Sequence, residues 1–167
     1  ELHADRPPPA RPLDEGRLTA FLRHNRILLV LKTHPHAREA RMAGQDVCLV
    51  HAHDRDLYPL LRETDLLITD YSSIAMDFLH TGRPILYFPY DLEAYQQEHH
   101  DIQFPYETVT PGPQARTWRE LEAWMKHFLV EGKDGFEARR QELMGRAFDH
   151  ADGRACERLY ERLLADD

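Results

Sequence analysis

The chain has 167 residues, of which 42% are hydrophobic, and this length and composition suit one ordinary globular domain with a single core. The formal net charge of -8 argues against a general nucleic-acid surface, because phosphate backbones are bound by clustered Lys and Arg. No apolar stretch approaches the roughly 20 residues of a membrane-spanning helix.

The two cysteines bear on the compartment. Cys48 lies in an apolar run and Cys156 in a helical pattern, and neither belongs to a Cys-x-x-Cys motif. We expect two buried free thiols, which fits a reducing cytoplasm. The predicted location is therefore cytoplasmic, with any peripheral contact at the inner face of the membrane made by parts of a longer polypeptide.

The N-terminal segment has a different composition from the rest of the chain. Residues 1–12 are polar and proline-rich, which is typical of a linker or a domain boundary. We therefore predict a proline-rich linker or boundary over residues 1–12 and a single domain over residues 13–167. Apolar residues at helical spacing predict a first helix from Leu13 to Asn25.

Four short apolar runs follow, and they begin near Ile27, Val47, Leu66 and Ile85. Runs that are apolar on both faces indicate buried parallel strands, and helical patterns separate them. This alternation predicts an α/β domain with three layers, in which helices cover both faces of one parallel, Rossmann-like sheet.

The C-terminal third is predicted to be helical. Thr117 and Glu120 have the spacing of a capping box and precede a run of apolar residues on one helical face. A further helix is expected over residues 136–148. Asp152 is a good N-cap for a final helix. That helix is expected to bury Ala155, Leu159 and Leu163.

The loop after the first strand contains the first candidate functional residues, because ligands of open parallel sheets bind at the C-terminal ends of strands. Lys32 and His34 lie there, and Pro35 biases His34 toward an extended conformation that would direct it into the crevice. His34 would contact a phosphate or a leaving group there. The alternative is a histidine that hydrogen-bonds the neighbouring backbone.

The loop after the third strand contains Thr69, Asp70, Ser72 and Ser73, followed by a helical pattern. A helix start binds phosphate through its free N–H groups, so one serine can cap the helix while the other donates to a phosphate oxygen. The alternative is that both serines only cap. Asp70 is an awkward neighbour for an anion, and orienting a cation or a ligand hydroxyl would suit it better.

These blocks, Lys32-Thr33-His34-Pro35 and Thr69-Asp70-Tyr71-Ser72-Ser73, together with Asp152-Gly153-Arg154 at the last helix, resemble the CDP-glycerol:poly(glycerophosphate) glycerophosphotransferase family of teichoic-acid and capsule synthesis. The resemblance implies the C-terminal, donor-binding half of a GT-B pair of Rossmann-like domains. It also implies that a separate N-terminal domain binds most of the polymer acceptor and supplies a histidine base.

The resemblance also implies roles for individual residues. His34 becomes the catalytic residue near the donor pyrophosphate, and Ser72 and Ser73 become phosphate ligands. Lys32, Thr69, Asp70 and Arg154 are further candidate contacts to the donor. The implied donor is CDP-glycerol or a related CDP-alcohol, and neither a metal nor another cofactor is expected.

Other functions remain open at this stage. The chain could be a catalytically inert nucleotide-binding module, or a GT-B domain that uses a nucleotide-sugar. A phosphoacceptor receiver domain would use Asp70, but the segment from Ile85 to Asp91 lacks the lysine which that fold needs. A metal hydrolase would be built from His34, His36, His51 and His53, and would need bound metal.

Overall fold

A computed structural model describes residues 14–32, 46–51, 54–93, 95 and 104–165. The predicted linker over residues 1–12 lies outside these ranges. His34 and His36 also lie outside the described residues, as does His53.

Short parallel strands form at the predicted apolar runs, which confirms the α/β class. They are β1 (Leu29–Leu31), β2 (Cys48–Val50), β3 (Leu67–Thr69) and β4 (Ile85–Tyr87). β1 pairs with β2, and β3 pairs with β4, both in parallel. The described residues therefore form two separate two-stranded pairs where one continuous sheet was predicted. Each ladder is only three residues long.

The uniform apolarity of the runs predicted burial on both faces, but β1 and β3 are half-buried and only β4 among the four described strands is buried throughout. In β2, however, Leu49 is 48% exposed and Val50 is 50% exposed, so the expected cover is wrong there. An apolar run shows that a strand can be covered, but the covering element must come from elsewhere in the chain.

Helices form close to the predicted ranges. They are α1 (Glu15–Asn25), α2 (Tyr58–Glu63), α3 (Ile74–Phe78), α4 (Tyr106–Val109), α5 (Trp118–Met125), α6 (Glu137–Ala147) and α7 (Ala155–Ala165). A 3₁₀ turn at Leu79–Thr81 extends α3, and a π-helical turn at Lys126–Val130 extends α5.

Side-chain caps explain two of the helix starts. Asp14 accepts a hydrogen bond from the backbone N–H of Arg17 at 2.9 Å and begins α1. At α5 the predicted capping residue is confirmed, since the Thr117 hydroxyl accepts from the Glu120 N–H at 3.3 Å. The Glu120 carboxylate in turn accepts from the N–H of Arg116 at 2.7 Å.

The core consists of two clusters on opposite faces of β4. Ile85 and Tyr87 belong to one cluster, together with α2, α3 and α6. Leu86 and Phe88 belong to the other, together with α1 and α5. Alternate residues of a strand point to opposite faces, so helices cover β4 on both sides.

The other edge of β4 is covered by an extended segment at Pro113–Ala115. The N–H of Tyr87 donates to the Pro113 carbonyl at 3.0 Å, and the Ala115 N–H donates to the Tyr87 carbonyl at 2.8 Å. The preceding Gly112 packs directly on the backbone of β4: a Cβ there would lie 1.9 Å from the carbonyl oxygen of Ile85. Only glycine fits at this approach.

The prediction for the last helix is wrong in one respect. α7 forms, but none of its residues is buried, and Ala155 is exposed. Leu159 is 61% exposed and Leu163 is 62% exposed. Helical periodicity identifies an apolar face without identifying what covers it. Cys156 of the same helix is likewise exposed, whereas Cys48 is buried as predicted, and both thiols are free.

Candidate functional site at the strand ends

The loops that follow β3 and β4 leave the same edge of this strand pair. The register aligns Thr69 with Tyr87, and the N–H of Phe88 donates to the Thr69 carbonyl at 2.7 Å. The segment from Asp70 to Ser73 therefore begins beside the segment from Phe88 to Asp91. This edge is where parallel sheets bind ligands.

Ser72 and Ser73 are both exposed, and only one of them caps α3. Ser73 already has helical dihedral angles, with φ -62° and ψ -15°, and its hydroxyl makes no capping bond. Ser72 supplies the capping oxygen, which accepts from the Ile74 N–H at the long distance of 3.4 Å. A capping side chain normally extends from a residue with non-helical dihedrals, which explains the difference.

The serine loop retains unused hydrogen-bond donors. Within the described part of the chain, the Ser73 hydroxyl and the backbone N–H groups of Ser72 and Ser73 have no acceptor. These two residues are also the only serines in the sequence. Exposed N–H and O–H donors on consecutive residues can hold an oxyanion without a basic patch.

Asp70 directs its carboxylate to its own loop. The oxygen Oδ1 accepts from the backbone N–H of Tyr71 at 2.6 Å. The backbone carbonyl of Asp70 accepts from the hydroxyl of Tyr106 at 2.9 Å, and Tyr106 is only 4% exposed. Asp70 is thus held in the turn by groups on both sides of it.

Tyr71 ties the same loop to the end of β4. Its hydroxyl donates to Oδ1 of Asp91 at 2.8 Å, and Asp91 is 7% exposed. Its ring stacks on Tyr95 with centroids 3.8 Å apart. Burial raises the pKa of the Tyr71 phenol well above its usual value, and the bond to Asp91 raises it further, so the phenol remains a donor.

Sequence reasoning assigned no role to Tyr71, Asp91 and Tyr106. A usable signal was present for the first two, since an aromatic residue and an acid each follow the end of a parallel strand. Tyr106 gave no such signal, because it lies 36 positions from the carbonyl that it contacts.

Of the remaining predicted site residues, Lys32 and Arg154 lie within the described ranges. Lys32 is exposed directly after β1, beside His51, whose N–H donates to the Leu31 carbonyl at 2.8 Å. The Arg154 side chain is 63% exposed and pairs with Glu157 at 2.6 Å. His34 lies outside the described residues, so its place relative to the serines stays a prediction.

The described residues contain neither a cluster of metal-ligating side chains nor a membrane-spanning helix. No three His, Cys, Asp or Glu side chains in those ranges are grouped to hold a metal ion. No helix in those ranges is long and apolar enough to cross a membrane.

Comparison with known families gives one match over nearly the whole chain. The sequence profile of the CDP-Glycerol:Poly(glycerophosphate) glycerophosphotransferase family matches residues 8–165. The chain belongs to this family. Membership confirms the resemblance seen in the Lys32–Pro35 and Thr69–Ser73 blocks.

Two similar relatives are proteins of Bacillus spizizenii. A teichoic acid ribitol-phosphate primase is 30% identical over 152 residues, covering 90% of this chain and 38% of the relative. A teichoic acid poly(ribitol-phosphate) polymerase is 32% identical over 159 residues, covering 93% of this chain and 25% of the relative. The chain thus spans between a quarter and two fifths of these proteins.

Solved structures support the fold. A variant of the wall teichoic acid polymerase TagF superposes with a TM-score of 0.75 at 21% identity, over 92% of this chain and 38% of TagF. A TagF structure soaked with CDPG superposes with a TM-score of 0.60 at 22% identity, over 83% of this chain and 34% of that one. This family member therefore shares a fold with a part of TagF.

Proposed function

We propose that this chain is the donor-binding domain of a transferase that moves glycerol phosphate, or a related group, from a CDP-activated donor to a growing teichoic-acid or capsule-like polymer. The observation that carries the proposal is the loop after β3. There the Ser73 hydroxyl and the N–H groups of Ser72 and Ser73 have no acceptor among the described residues. A chain of formal net charge -8 needs such local donors to hold an anion.

The proposal extends to the architecture of the whole enzyme. The two strand pairs would be parts of one parallel sheet in a three-layer domain. That domain would be the C-terminal half of a GT-B pair. The burial of β4 between two clusters supports this arrangement. An N-terminal domain would then supply the acceptor site and the base, which agrees with the greater length of the relatives. The cytoplasmic location stays a prediction.

The proposed reaction is a displacement at phosphorus. The acceptor hydroxyl oxygen attacks the β-phosphorus of the donor, and a new P–O bond forms while the bond to the bridging oxygen breaks. CMP leaves, and the hydroxyl proton passes to a base of the N-terminal domain. Protonated His34 and the serine loop would stabilise the charge that develops on the phosphates. Lys32, Thr69, Asp70 and Arg154 are proposed as further donor contacts.

The transferred group is either glycerol phosphate or a related alcohol phosphate, because relatives of both kinds match this chain. Relatives matched at similar levels are described as enzymes of ribitol-phosphate and of glycerol-phosphate polymers. The serine loop contacts phosphate in this proposal, so it does not distinguish between these two alcohols.

Calorimetry of the chain with CDP-glycerol, CMP and UMP tests the proposal. We expect weak binding that favours cytidine nucleotides, and no turnover, because losing an oriented partner group forfeits about 7–11 kcal/mol of barrier lowering. Ser73→Ala and His34→Ala should each weaken CMP binding about five- to tenfold, as a lost phosphate contact predicts.

Thr64→Ala is the matched control. It removes a hydroxyl that lies before β3, at the opposite end of the strand from the serines, and this hydroxyl bonds the Leu60 carbonyl. CMP affinity should not change. Equal or absent binding of all three ligands would exclude donor binding, and turnover by this chain alone would exclude the assignment as half of an enzyme.

A further inference from the structure

Two tyrosine hydroxyls hold the backbone just before the serines from different sides. Tyr106, at the start of α4, donates to the carbonyl of Asp70 at 2.9 Å. Tyr71 donates to Asp91, at the end of β4, at 2.8 Å. Both bonds therefore act on residues 70 and 71, next to Ser72.

The groups that provide these bonds are themselves fixed. Tyr106 is 4% exposed, and its carbonyl accepts from the hydroxyl of Thr110, which is 3% exposed. Asp91 is 7% exposed, and a phenol–carboxylate bond of this kind is stronger than a bond between neutral groups. The rings of Tyr71 and Tyr106 also contact each other, with centroids 5.6 Å apart.

The serines are held on their C-terminal side by the first turn of α3, where their carbonyls accept from the N–H groups of Ala75 at 3.3 Å and Met76 at 2.9 Å. Both serines are exposed, and the one capping bond, from the Ile74 N–H to Ser72, is 3.4 Å long. A short helix of five residues follows them. The Ser72 N–H belongs to the peptide that joins Ser72 to Tyr71, so anchoring residues 70 and 71 helps to fix the position of the donors.

We infer that Tyr71, Asp91 and Tyr106 are positioning residues for the phosphate-binding serines. The inference rests on the proposed donor-binding function. Neither hydroxyl needs to touch the donor. Each fixes the backbone from which the Ser72 and Ser73 N–H groups project, so loss of either bond weakens binding of the phosphate part of a nucleotide and leaves binding of the nucleoside part unchanged.

The chain offers a selective probe for this inference, because Ser72 and Ser73 are its only serines. Amide ¹⁵N labelling of serine therefore gives two NMR cross-peaks, both from the loop. Titrations with CMP and with cytidine, followed through these cross-peaks and by calorimetry, separate the phosphate contribution from that of the nucleoside.

Tyr71→Phe and Tyr106→Phe each delete one hydroxyl and keep the ring. We expect the ratio of the cytidine Kd to the CMP Kd to fall about fivefold in each variant, as one lost hydrogen bond predicts. The cytidine Kd should not change. Asp91→Asn keeps an oxygen acceptor for the Tyr71 hydroxyl, so it should retain most of the wild-type ratio.

Tyr87→Phe is the matched control. Tyr87 is 2% exposed, its ring contacts Tyr106, and its hydroxyl has no partner among the described residues. Its ratio should equal that of the wild type. An unchanged ratio in Tyr71→Phe and Tyr106→Phe, or the same fall in Tyr87→Phe, would overturn the inference.

Failure of the proposed function gives a different result. If the wild-type chain binds no CMP, donor binding is refuted. The serine cross-peaks of the ligand-free chain then test whether the tyrosine hydroxyls position the serine backbone. Tyr71→Phe and Tyr106→Phe must then move both cross-peaks while Tyr87→Phe leaves them in place. Unmoved cross-peaks would show that the tyrosines do not position the serines.

Discussion

The buried guanidinium of Arg140 gives the sharpest prediction about stability. Its side chain is 3% exposed and donates twice to the Gly82 carbonyl, at 2.9 and 3.2 Å. It also donates to both carboxylate oxygens of Asp134, including one bond of 3.1 Å. These bonds link α6 to the turn that precedes β4.

We expect Asp134→Asn to destabilise the fold. Removing one partner of a fully enclosed ion pair costs about 3–5 kcal/mol. The Asp134 side chain is 26% exposed, and Arg140 keeps its bonds to Gly82, so water and the carbonyl compensate in part. The free energy of unfolding should therefore fall by about 2 kcal/mol.

The pH dependence of this loss has a defined sign. The hydrogen bond from Arg140 lowers the pKa of Asp134 in the folded chain, while burial opposes that shift. The unfolded chain therefore binds a proton more readily. The contribution of the pair is present above the unfolded value of 3.8 and is lost as the pH falls through the lower folded value. Wild type and Asp134→Asn should converge in acid.

Urea unfolding followed by far-UV circular dichroism, at pH 7 and at steps down to pH 3, measures both effects. Glu131→Gln is a matched acid-to-amide control at a surface pair with Lys133, and it should change little. Arg140→Met combined with Asp134→Asn should cost less than the sum of the single changes, because no charge is left buried. Equal stability of Asp134→Asn and wild type, or a difference that does not depend on pH, would refute the reasoning.

Three further substitutions test the packing by the same urea assay. Gly112→Ala would place a Cβ 1.9 Å from the Ile85 carbonyl, so it should cost at least about 2 kcal/mol; a neutral result would contradict this close approach. Thr117→Ala removes the hydroxyl that accepts from the Glu120 N–H and should lower the free energy of unfolding by about 1 kcal/mol; an unchanged value would show that this cap does not stabilise the fold. Leu163→Glu lies on exposed α7 and should change stability by less than about 0.5 kcal/mol; a larger loss would show that the helix is packed.

The sequence predicted the positions of helices and strands better than it predicted which of their faces are buried. The apolar runs near Leu66 and Ile85 predicted parallel strands correctly, because strands buried on both faces lose the alternating pattern. Thr117 predicted a helix start, because capping is decided within four residues. In α7, by contrast, Leu159 fits the helical periodicity but is 61% exposed. Periodicity does not show which element, if any, packs against an apolar face.

The candidate site shows the same division. The serine pair at the end of a strand could be recognised locally, as could the loop in which it lies. The sequence could not show which serine caps α3. That depends on the dihedral angles of Ser73, and the tertiary fold sets those angles. The bond from Tyr106 to Asp70 likewise joins distant parts of the chain, and only the folded structure brings them together.

The pairing register also bears on the order of folding. Leu29 pairs with Cys48 and Leu67 with Ile85, so each strand pair closes a loop of about twenty residues, for which the entropy of closure is modest. The ion pair of Arg17 with Glu122 instead joins residues 105 positions apart. We expect the two strand pairs to form early and the docking of α1 on α5 to form late. Substitutions in β4 should therefore slow folding, whereas loss of the Arg17–Glu122 contact should mainly speed unfolding.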